Sequence, residues 1–246
     1  MTISRKKRRQ LRQDGVIDKK NKLNESKFTL RDITREYNLT DKQQQVIQAY
    51  DEGKNLILHG LAGTGKTWLA CYLGIDDVVS GGNYNKVILF RSVVPTRDMG
   101  FLPGSVKQKA QIYEEPYRAV YNELFGRGDA YEILKTKNLV EFSTTSFLRG
   151  LTFDHSIIIV DEVNNMSFHE LDSLITRSGK NTKIIFCGDF RQSDLTNSVE
   201  REGLKRFFNV LNNINGFEYF EFEENDIVRS KLVKSYIIAK HGLGYV

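Results

Sequence analysis

The chain has 246 residues, of which 40% are hydrophobic and 27% are charged, and this composition is that of an ordinary soluble globular protein. No stretch approaches the ~18 apolar residues that a membrane-spanning helix needs. The basic N-terminus also lacks the apolar segment of a secretory signal, so we predict a cytoplasmic protein that binds no membrane. The length suits one α/β domain with a single well-buried core. Cys71 and Cys187 are far apart and lack metal-binding spacing, which predicts buried free thiols in a reducing compartment.

The formal net charge of +5 is unevenly distributed along the chain. Residues 1–27 carry ten Lys or Arg and three Asp or Glu, whereas residues 28–246 carry 26 basic and 28 acidic side chains. We predict that residues 1–27 are a disordered basic arm and that residues 28–246 form a single domain. Such an arm binds phosphate backbones without sequence preference and with strong salt dependence. The alternative is a solvated tail that only aids solubility.

The first predicted helix begins near Thr40. Thr40 and Gln43 have the spacing of an N-cap and its reciprocal capping-box partner, and Val46, Ile47 and Tyr50 follow at helical spacing. Gln43 has two interpretations that the sequence leaves open: it completes the capping box, or it hydrogen-bonds the edge of an adenine base.

A glycine-rich loop follows the next predicted element, a buried strand from Asn55 to Leu58. The loop fits the phosphate-binding pattern G-x-x-x-x-G-K-[ST] at every fixed position, and a helix is predicted directly after it. Its glycines allow backbone N–H groups to point at phosphate oxygens, and the helix N-terminus faces the anion. Lys66 is expected to reach the β- and γ-phosphates and the Thr67 hydroxyl to ligate Mg²⁺. The predicted nucleotide-binding residues of this P-loop are Gly60, Leu61, Ala62, Gly63, Thr64, Gly65, Lys66 and Thr67.

A second buried strand, Lys86 to Phe90, is predicted to deliver Arg91 to the carboxyl end of the sheet, where ligands bind in open α/β folds. Arg91 is therefore expected near the nucleotide or a nucleic-acid groove. Phe101, in the loop from residue 97 to 104, could stack on a base or pack into the core. Residues 106–136 are predicted to be helical with a break at residues 126–128, and residues 139–142 form the third strand.

The fourth predicted strand ends in two carboxylates. Residues 157–160 are all apolar, and Asp161 and Glu162 follow directly. A central parallel strand, which is buried on both faces, explains the apolar run, and its carboxyl end lies where ligands bind. We predict that Asp161 holds Mg²⁺ and that Glu162 orients and deprotonates the attacking water.

The rest of the chain continues the alternation of helices and strands. A helix is predicted for residues 167–177 and a buried strand for residues 183–187. Gln192 follows that strand, beside the predicted acidic pair, and is the candidate sensor of the γ-phosphate. A helix at residues 200–214, a strand at residues 217–222 and a last helix to about residue 240 complete the predicted elements.

These motifs together resemble the PhoH family of P-loop ATPases, whose ATPase domain is similar to the first motor domain of superfamily 1 helicases. The resemblance runs from about residue 39 to 240, in family order. It implies an α/β, RecA-like P-loop NTPase fold with a mostly parallel sheet and helices on both faces. It also implies binding and hydrolysis of ATP with Mg²⁺ and a role in the metabolism of RNA or other nucleic acid. The matching residues are Gly60 to Leu69, Arg91, Gly100 to Gly104, Phe147 to Gly150, Ile158 to Glu162 with Asn165, Thr176 and Arg177, Gly188 and Asp189 with Gln192, Asp194 and Leu195, and Asp226 to Arg229.

Two further positions match the wider group, and two segments depart from the family pattern. Gln43 matches the upstream glutamine of helicase-like ATPases, and Gln192 matches their γ-phosphate-sensing glutamine. Leu61 stands where the family usually has proline, and residues 91–95 differ from its common Arg-Pro-Ala-Val-Glu. No PIN-type nuclease pattern precedes the ATPase motifs, so ribonuclease activity is not expected. A compact member with a basic arm is similar to the versions found in bacteriophages, which would act in the host cytoplasm.

Hydrolysis by one motor domain raises the question of which cation neutralises the transition state. Charge on the transferred γ-phosphoryl group needs such a cation, which is worth orders of magnitude in rate. The second lobe that supplies it in two-lobed helicases is not predicted in this sequence. Our hypothesis is that a neighbouring subunit provides it within a ring-like homo-oligomer, such as a hexamer. Arg229 is the first candidate and Arg177 the second.

Three function classes follow from these features. The first is an ATP-driven motor or remodeller of single-stranded nucleic acid, with RNA ahead of DNA as the track. The second is a nucleic-acid-binding adaptor that ATP switches without strand separation. The third is a P-loop kinase of a small acceptor, which Gln192 and the lack of an evident arginine-rich lid argue against. Glu162 favours the motor, because a pure switch does not need a catalytic base.

Overall fold

The computed structural model describes residues 33, 37–92, 106–145, 150–189 and 198–244, with the side chains of residues 106–110 and 198–201 left out. Several predictions lie outside the described residues: those on the basic arm, on Gly100 to Gly104 with Phe101, on Phe147 to Arg149, on Gln192, and on Asp194 and Leu195. The division into an arm at residues 1–27 and a domain at residues 28–246 stays a prediction. Within the described ranges, no helix combines the length and the apolar character needed to cross a membrane.

In the described part of the chain, six strands form one parallel sheet: β1 (Asn55–Gly60), β2 (Lys86–Arg91), β3 (Val140–Thr144), β4 (Ser156–Asp161), β5 (Lys183–Gly188) and β6 (Phe217–Phe222). Their order across the sheet is β3-β2-β4-β5-β1-β6. All six correspond to predicted strands. Apolar runs explain the four inner strands, whereas the outer strands β3 and β6 also contain polar residues. Because every pair is parallel, the carboxyl ends of the strands meet at one edge, and the predicted site residues follow several of them.

The helices begin and end where local signals predict. Thr40 and Gln43 form a capping box at the first helix, and Ser167 and Glu170 form a second one before the fifth. Gly126, with φ 64°, ends the third helix at the predicted break. Two 3₁₀ turns, Val163–Asn165 and Glu224–Asp226, were not predicted. The helices are α1 (Asp41–Asp51), α2 (Lys66–Val79), α3 (Val106–Phe125), α4 (Ala130–Thr136), α5 (Phe168–Thr176), α6 (Ser198–Asn212) and α7 (Lys231–Gly242).

Alternate side chains of the strands build two separate cores. In β4, Ile157 and Ile159 belong to the core shared with α1 to α4, whereas Ile158 and Val160 belong to the core shared with α5 and α6. This division follows from the two-residue period of a strand, which sends successive side chains to opposite faces. The predicted RecA-like architecture, a parallel sheet with helices on both faces, is therefore confirmed.

Strand order decides which loops can meet. β5 lies between β1, which leads into the P-loop, and β4, which ends in the acidic pair. The registers align the carboxyl ends of the three strands, with Leu58 opposite Cys187 and Val160 opposite Phe186. The P-loop and the two carboxylates therefore face each other across the end of β5.

Candidate active site

The backbone conformation of the P-loop depends on its glycines and on its contacts with β6. Gly60, Gly63 and Gly65 have φ values of 121°, 76° and 82°, which side chains other than glycine rarely adopt. A Cβ atom on Gly60 would overlap the carbonyl oxygen of Phe222. That same oxygen accepts a hydrogen bond of 3.1 Å from the N–H of Leu61. The start of the loop is thus fixed against the backbone of β6.

The P-loop leads into the N-terminus of a helix. α2 begins at Lys66 and has 14 residues, and the N–H groups in the first turn of a helix have no acceptor within that helix. Such groups at a helix N-terminus can bind an anion. The φ values of the glycines and this helix start fit the predicted phosphate-binding loop, and phosphate binding itself stays a prediction.

Lys66 lies at the centre of this loop. Its Nζ donates hydrogen bonds to the carbonyl oxygens of Gly60 and Leu61, both at 2.7 Å, and to Thr64 Oγ1 at 3.3 Å. Burial lowers the pKa of the Lys66 ammonium, while nearby negative groups, including Asp189 and Asp161, oppose that shift. The side chain is therefore a positive charge positioned beside the N–H groups that would hold phosphate.

Asp161 and Thr67 bring two oxygen ligands together. The Thr67 hydroxyl donates to Asp161 Oδ1 at 2.7 Å, although the two residues are 94 positions apart. Hydroxyl and carboxylate oxygens are the ligands that Mg²⁺ prefers, so these residues fit a magnesium ion. Among the described residues, no cluster of three or more His, Cys, Asp or Glu could hold a metal alone. Phosphate oxygens and water would complete such a site, as they commonly do for Mg²⁺.

Tyr117 contacts the other oxygen of Asp161. Its hydroxyl donates to Asp161 Oδ2 at 2.8 Å, and its side chain is fully buried. Burial raises the pKa of Tyr117 well above its ordinary value, and the negative charge of Asp161 adds to the shift. The phenol therefore remains protonated and donates. We did not predict this residue, which had no sequence signal beyond its place in a helical pattern.

Glu162 occupies a strained position at the end of β4. Its backbone is left-handed, with φ 54° and ψ 44°, which is uncommon for a non-glycine residue and often marks a functional site. Its Oε1 lies 3.8 Å from an Nη atom of Arg91. Burial and the neighbouring charge of Asp161 raise the pKa of Glu162, while Arg91 and Lys66 lower it. A carboxylate with a raised pKa beside a phosphate site suits a general base.

A cleft of about 880 Å³ joins these groups. It contains most of the predicted site residues and also Arg91, which we expected near the nucleotide. The structure does not bring Arg177 to this cleft; one of its Nη atoms donates to the carbonyl oxygen of Leu151 at 3.1 Å. Gly60, Leu61 and Thr64 support the P-loop without lining the cleft. The predicted residues that line it are Gln43, Ala62, Gly63, Gly65, Lys66, Thr67, Asp161, Glu162 and Arg229.

Gln43 is buried beside the P-loop. Its Oε1 accepts from the Thr40 N–H at 3.1 Å, and its Nε2 donates to the Thr64 carbonyl oxygen at 3.3 Å. Of the two interpretations, the structure shows the capping box, and the glutamine also braces the P-loop. A contact between Gln43 and adenine stays a prediction.

Arg229 lies against the P-loop of its own chain. A Cβ atom on Gly63 would lie 2.9 Å from Arg229 Cγ, and the neighbouring Val228 donates its N–H to the Gly63 carbonyl oxygen at 3.0 Å. We predicted Arg229 as the first candidate to act across a subunit interface. The structure places Arg229 in the lining of the cleft of its own chain, and action across a subunit interface stays a prediction.

Asn164 is a further residue of the cleft that the sequence did not single out. Its Oδ1 accepts a hydrogen bond of 3.3 Å from the N–H of Asp189, at the end of β5. A Cβ atom on Gly188 would lie 2.9 Å from the same oxygen. The loop after β4 is thereby tied to the end of β5. Its position two residues after the acidic pair is the signal that could have identified it.

Comparison with known proteins identifies the family. The family model described as PhoH-like protein matches residues 37–240. The chain belongs to the PhoH-like family. The match covers the P-loop, the acidic pair and Arg229, so the residues that build the cleft are part of the PhoH-like region.

PhoH-like proteins from two bacteria illustrate the relationship. The PhoH-like protein of Bacillus subtilis is 32% identical over 198 residues, which are 80% of this chain and 61% of that protein. The PhoH-like protein of Synechocystis is 31% identical over 202 residues, which are 81% of this chain and 60% of that protein. The chain therefore spans about 60% of the length of these relatives.

Solved structures with a similar arrangement include helicases. The Pif1 helicase of Candida albicans is 18% identical, covers 85% of this chain and 44% of its own, and has a TM-score of 0.43. Bacteroides Pif1 bound to single-stranded DNA is 15% identical, covers 86% of this chain and 47% of its own, and has a TM-score of 0.41. The fold of this PhoH-like chain is established by its own strand order and helix placement.

Proposed function

We propose that this PhoH-like chain binds and hydrolyses ATP with Mg²⁺ and couples hydrolysis to single-stranded nucleic acid, as a motor or remodeller. The observation that carries the proposal is the contact of 2.7 Å between Thr67 and Asp161 beside the P-loop. It brings together a hydroxyl oxygen and a carboxylate oxygen, both of which are usual ligands of Mg²⁺. They lie next to a loop that can bind phosphate. Glu162, the next residue along the chain, supplies a carboxylate at the same place.

In this proposal, each of these groups has a separate role in hydrolysis. The P-loop N–H groups and Lys66 hold the phosphates. Thr67 and Asp161 would hold Mg²⁺, which would neutralise negative charge on the phosphates. Water attacks the γ-phosphorus as the bond to the bridging oxygen breaks. The attacking water transfers a proton to the carboxylate of Glu162, and the electron pair of the broken bond leaves with ADP.

Arg91 supports the coupling to nucleic acid. It ends β2, a few residues before the loop in which Phe101 could stack on a base or pack into the core. Its guanidinium carbon lies 5.8 Å from the centre of the Tyr113 ring. It also pairs with Glu162 at 3.8 Å. A backbone phosphate that attracts Arg91 would free the Glu162 carboxylate to accept a proton. Polymer binding would then raise the rate of hydrolysis.

Turnover of ATP with and without single-stranded RNA and DNA tests this proposal. We expect stimulation by one polymer, with RNA ahead of DNA, and we expect it to weaken as salt rises, because phosphate contacts release counterions. Lys66→Ala protein, prepared in parallel, measures contaminating ATPase. Turnover that neither polymer changes, combined with ATP-dependent polymer binding, would instead indicate an adaptor that ATP switches.

The position of Arg229 yields a second prediction about hydrolysis. We propose that Arg229 stabilises the γ-phosphoryl charge within its own chain and that the chain assembles into a ring-like homo-oligomer. The exposed apolar residues Leu232 and Tyr236 of α7, and Leu243 directly after it, are close to Arg229 in the chain and support an interface there. Arg229→Ala should lower the turnover number by about 10³-fold, the scale of an arginine that stabilises phosphoryl transfer. Phosphate release measures the rate of hydrolysis, and light scattering measures the mass of the assembly.

Mixing two inactive variants distinguishes action within one chain from action across an interface. Arg229→Ala and Glu162→Gln subunits are combined and their turnover is compared with the separate proteins. If Arg229 acts within its chain, the mixture gains nothing, because no subunit has both groups. Recovery of activity would show that the arginine acts between subunits. Arg177→Ala, tested in the same mixture, examines the second candidate.

A further inference from the structure

Asp161 receives a hydrogen bond at each of its oxygens. Thr67 contacts Oδ1, and Tyr117, from α3, contacts Oδ2. The aspartate is 7% exposed and Tyr117 is fully buried, so water cannot readily replace the phenol. Without this donor, Oδ2 would be a buried acceptor lacking a partner, which is costly. The two bonds together fix the rotation of the carboxylate and direct Oδ1 towards Thr67.

The same face of α3 supports the second carboxylate as well. Tyr113 lies one turn before Tyr117, and residues four apart share one face of a helix. The ring of Tyr113 lies beside the guanidinium of Arg91, which pairs with Glu162. α3 therefore contributes to the surroundings of both members of the acidic pair. Its contact with Asp161 is direct, whereas its contact with Glu162 passes through Arg91.

We propose that Tyr117 is a positioning residue that orients Asp161 for Mg²⁺ coordination through its hydrogen bond to Oδ2. The inference rests on the proposed function, because it concerns the metal that hydrolysis would use. A residue that hydrogen-bonds to a metal ligand holds that ligand in the orientation needed for binding. Loss of such a residue typically lowers metal affinity or activity by about 10–100-fold.

Tyr117→Phe tests the inference because it removes the hydroxyl and keeps the ring. Trp68 is the one tryptophan of the chain and lines the cleft, so its fluorescence can report the binding of a non-hydrolysable ATP analogue. In EDTA, we expect the variant and the wild type to bind the analogue equally. In Mg²⁺, the metal-dependent gain in affinity should be smaller in the variant by about tenfold. Half-maximal hydrolysis should need about tenfold more Mg²⁺, and saturating Mg²⁺ should restore much of the rate.

Tyr121→Phe is the matched control. Tyr121 lies one turn after Tyr117 on α3 and is equally buried. Its ring stacks on Tyr131, with centroids 5.8 Å apart, whereas the hydroxyl of Tyr117 contacts Asp161. We expect this variant to keep the wild-type Mg²⁺ dependence. Asp161→Asn should lose the metal-dependent gain entirely. Thermal unfolding in EDTA checks that both tyrosine variants retain the packing of α3.

Three results would overturn the inference. If Tyr117→Phe keeps the wild-type Mg²⁺ dependence, Tyr117 does not position the ligand, although the proposed function stands. If both tyrosine variants lose the metal response equally, the hydroxyls act only through packing. If the wild-type protein binds the analogue no better in Mg²⁺ than in EDTA, the proposed function itself fails and the inference fails with it.

Discussion

Glu162→Gln is expected to lower the turnover number for ATP by about 10²–10⁴-fold, the usual contribution of a general base. Glutamine has the same shape but cannot accept the proton of the attacking water. Residue 162 must adopt the same left-handed backbone conformation in both proteins, with φ 54°. The backbone strain is therefore the same, and the difference in rate reports the loss of the carboxylate. Binding of a non-hydrolysable analogue, followed through Trp68, should persist because the P-loop is unchanged.

Steady-state phosphate release measures this effect. Glu123→Gln is the control, because Glu123 lines the same cleft from α3 and loses the same charge. We expect the control to remain within about tenfold of the wild-type rate, since an electrostatic change alone lacks the proton-transfer contribution. A Glu162→Gln protein that turned over ATP at the wild-type rate would show that another group accepts the proton.

Gly60→Ala is expected to reduce the free energy of unfolding by about 4 kcal/mol, from backbone strain and overpacking together. The new Cβ would overlap the carbonyl oxygen of Phe222. That oxygen cannot easily move, because it accepts a hydrogen bond from Leu61. Relief would require separating β6 from β1 at the start of the P-loop, so nucleotide binding should weaken as well. Denaturant-induced unfolding measures the change in stability.

Gly216→Ala separates the two causes of this loss. Gly216 has a φ of 115°, close to the 121° of Gly60, but no atom of the described residues lies within 4 Å of its Cβ position. It should therefore lose only the backbone contribution, about 1 kcal/mol. If both substitutions reduced the free energy of unfolding by the same amount, the close contact with Phe222 would not be the reason for glycine at residue 60.

The sequence by itself determined the elements and most of the site residues. Apolar runs predicted the four strands β1, β2, β4 and β5, the capping box at Thr40 predicted a helix start, and the glycine pattern predicted the P-loop. The carboxylates of Asp161 and Glu162 were recognisable because they end an apolar run. These features are local: side-chain periodicity, capping and backbone freedom act between residues close in the chain.

Only the tertiary structure decided which of these elements meet. The continuous apolar run of residues 157–160 indicates that β4 is buried on both faces. It does not show that β5 separates β4 from β1. The contacts of Asp161 with Thr67 and Tyr117 span 94 and 44 positions, and the access of Arg229 to its own P-loop depends on where the end of the chain packs. Strand order and helix packing are set by the burial of the whole core, and no short stretch of sequence encodes them.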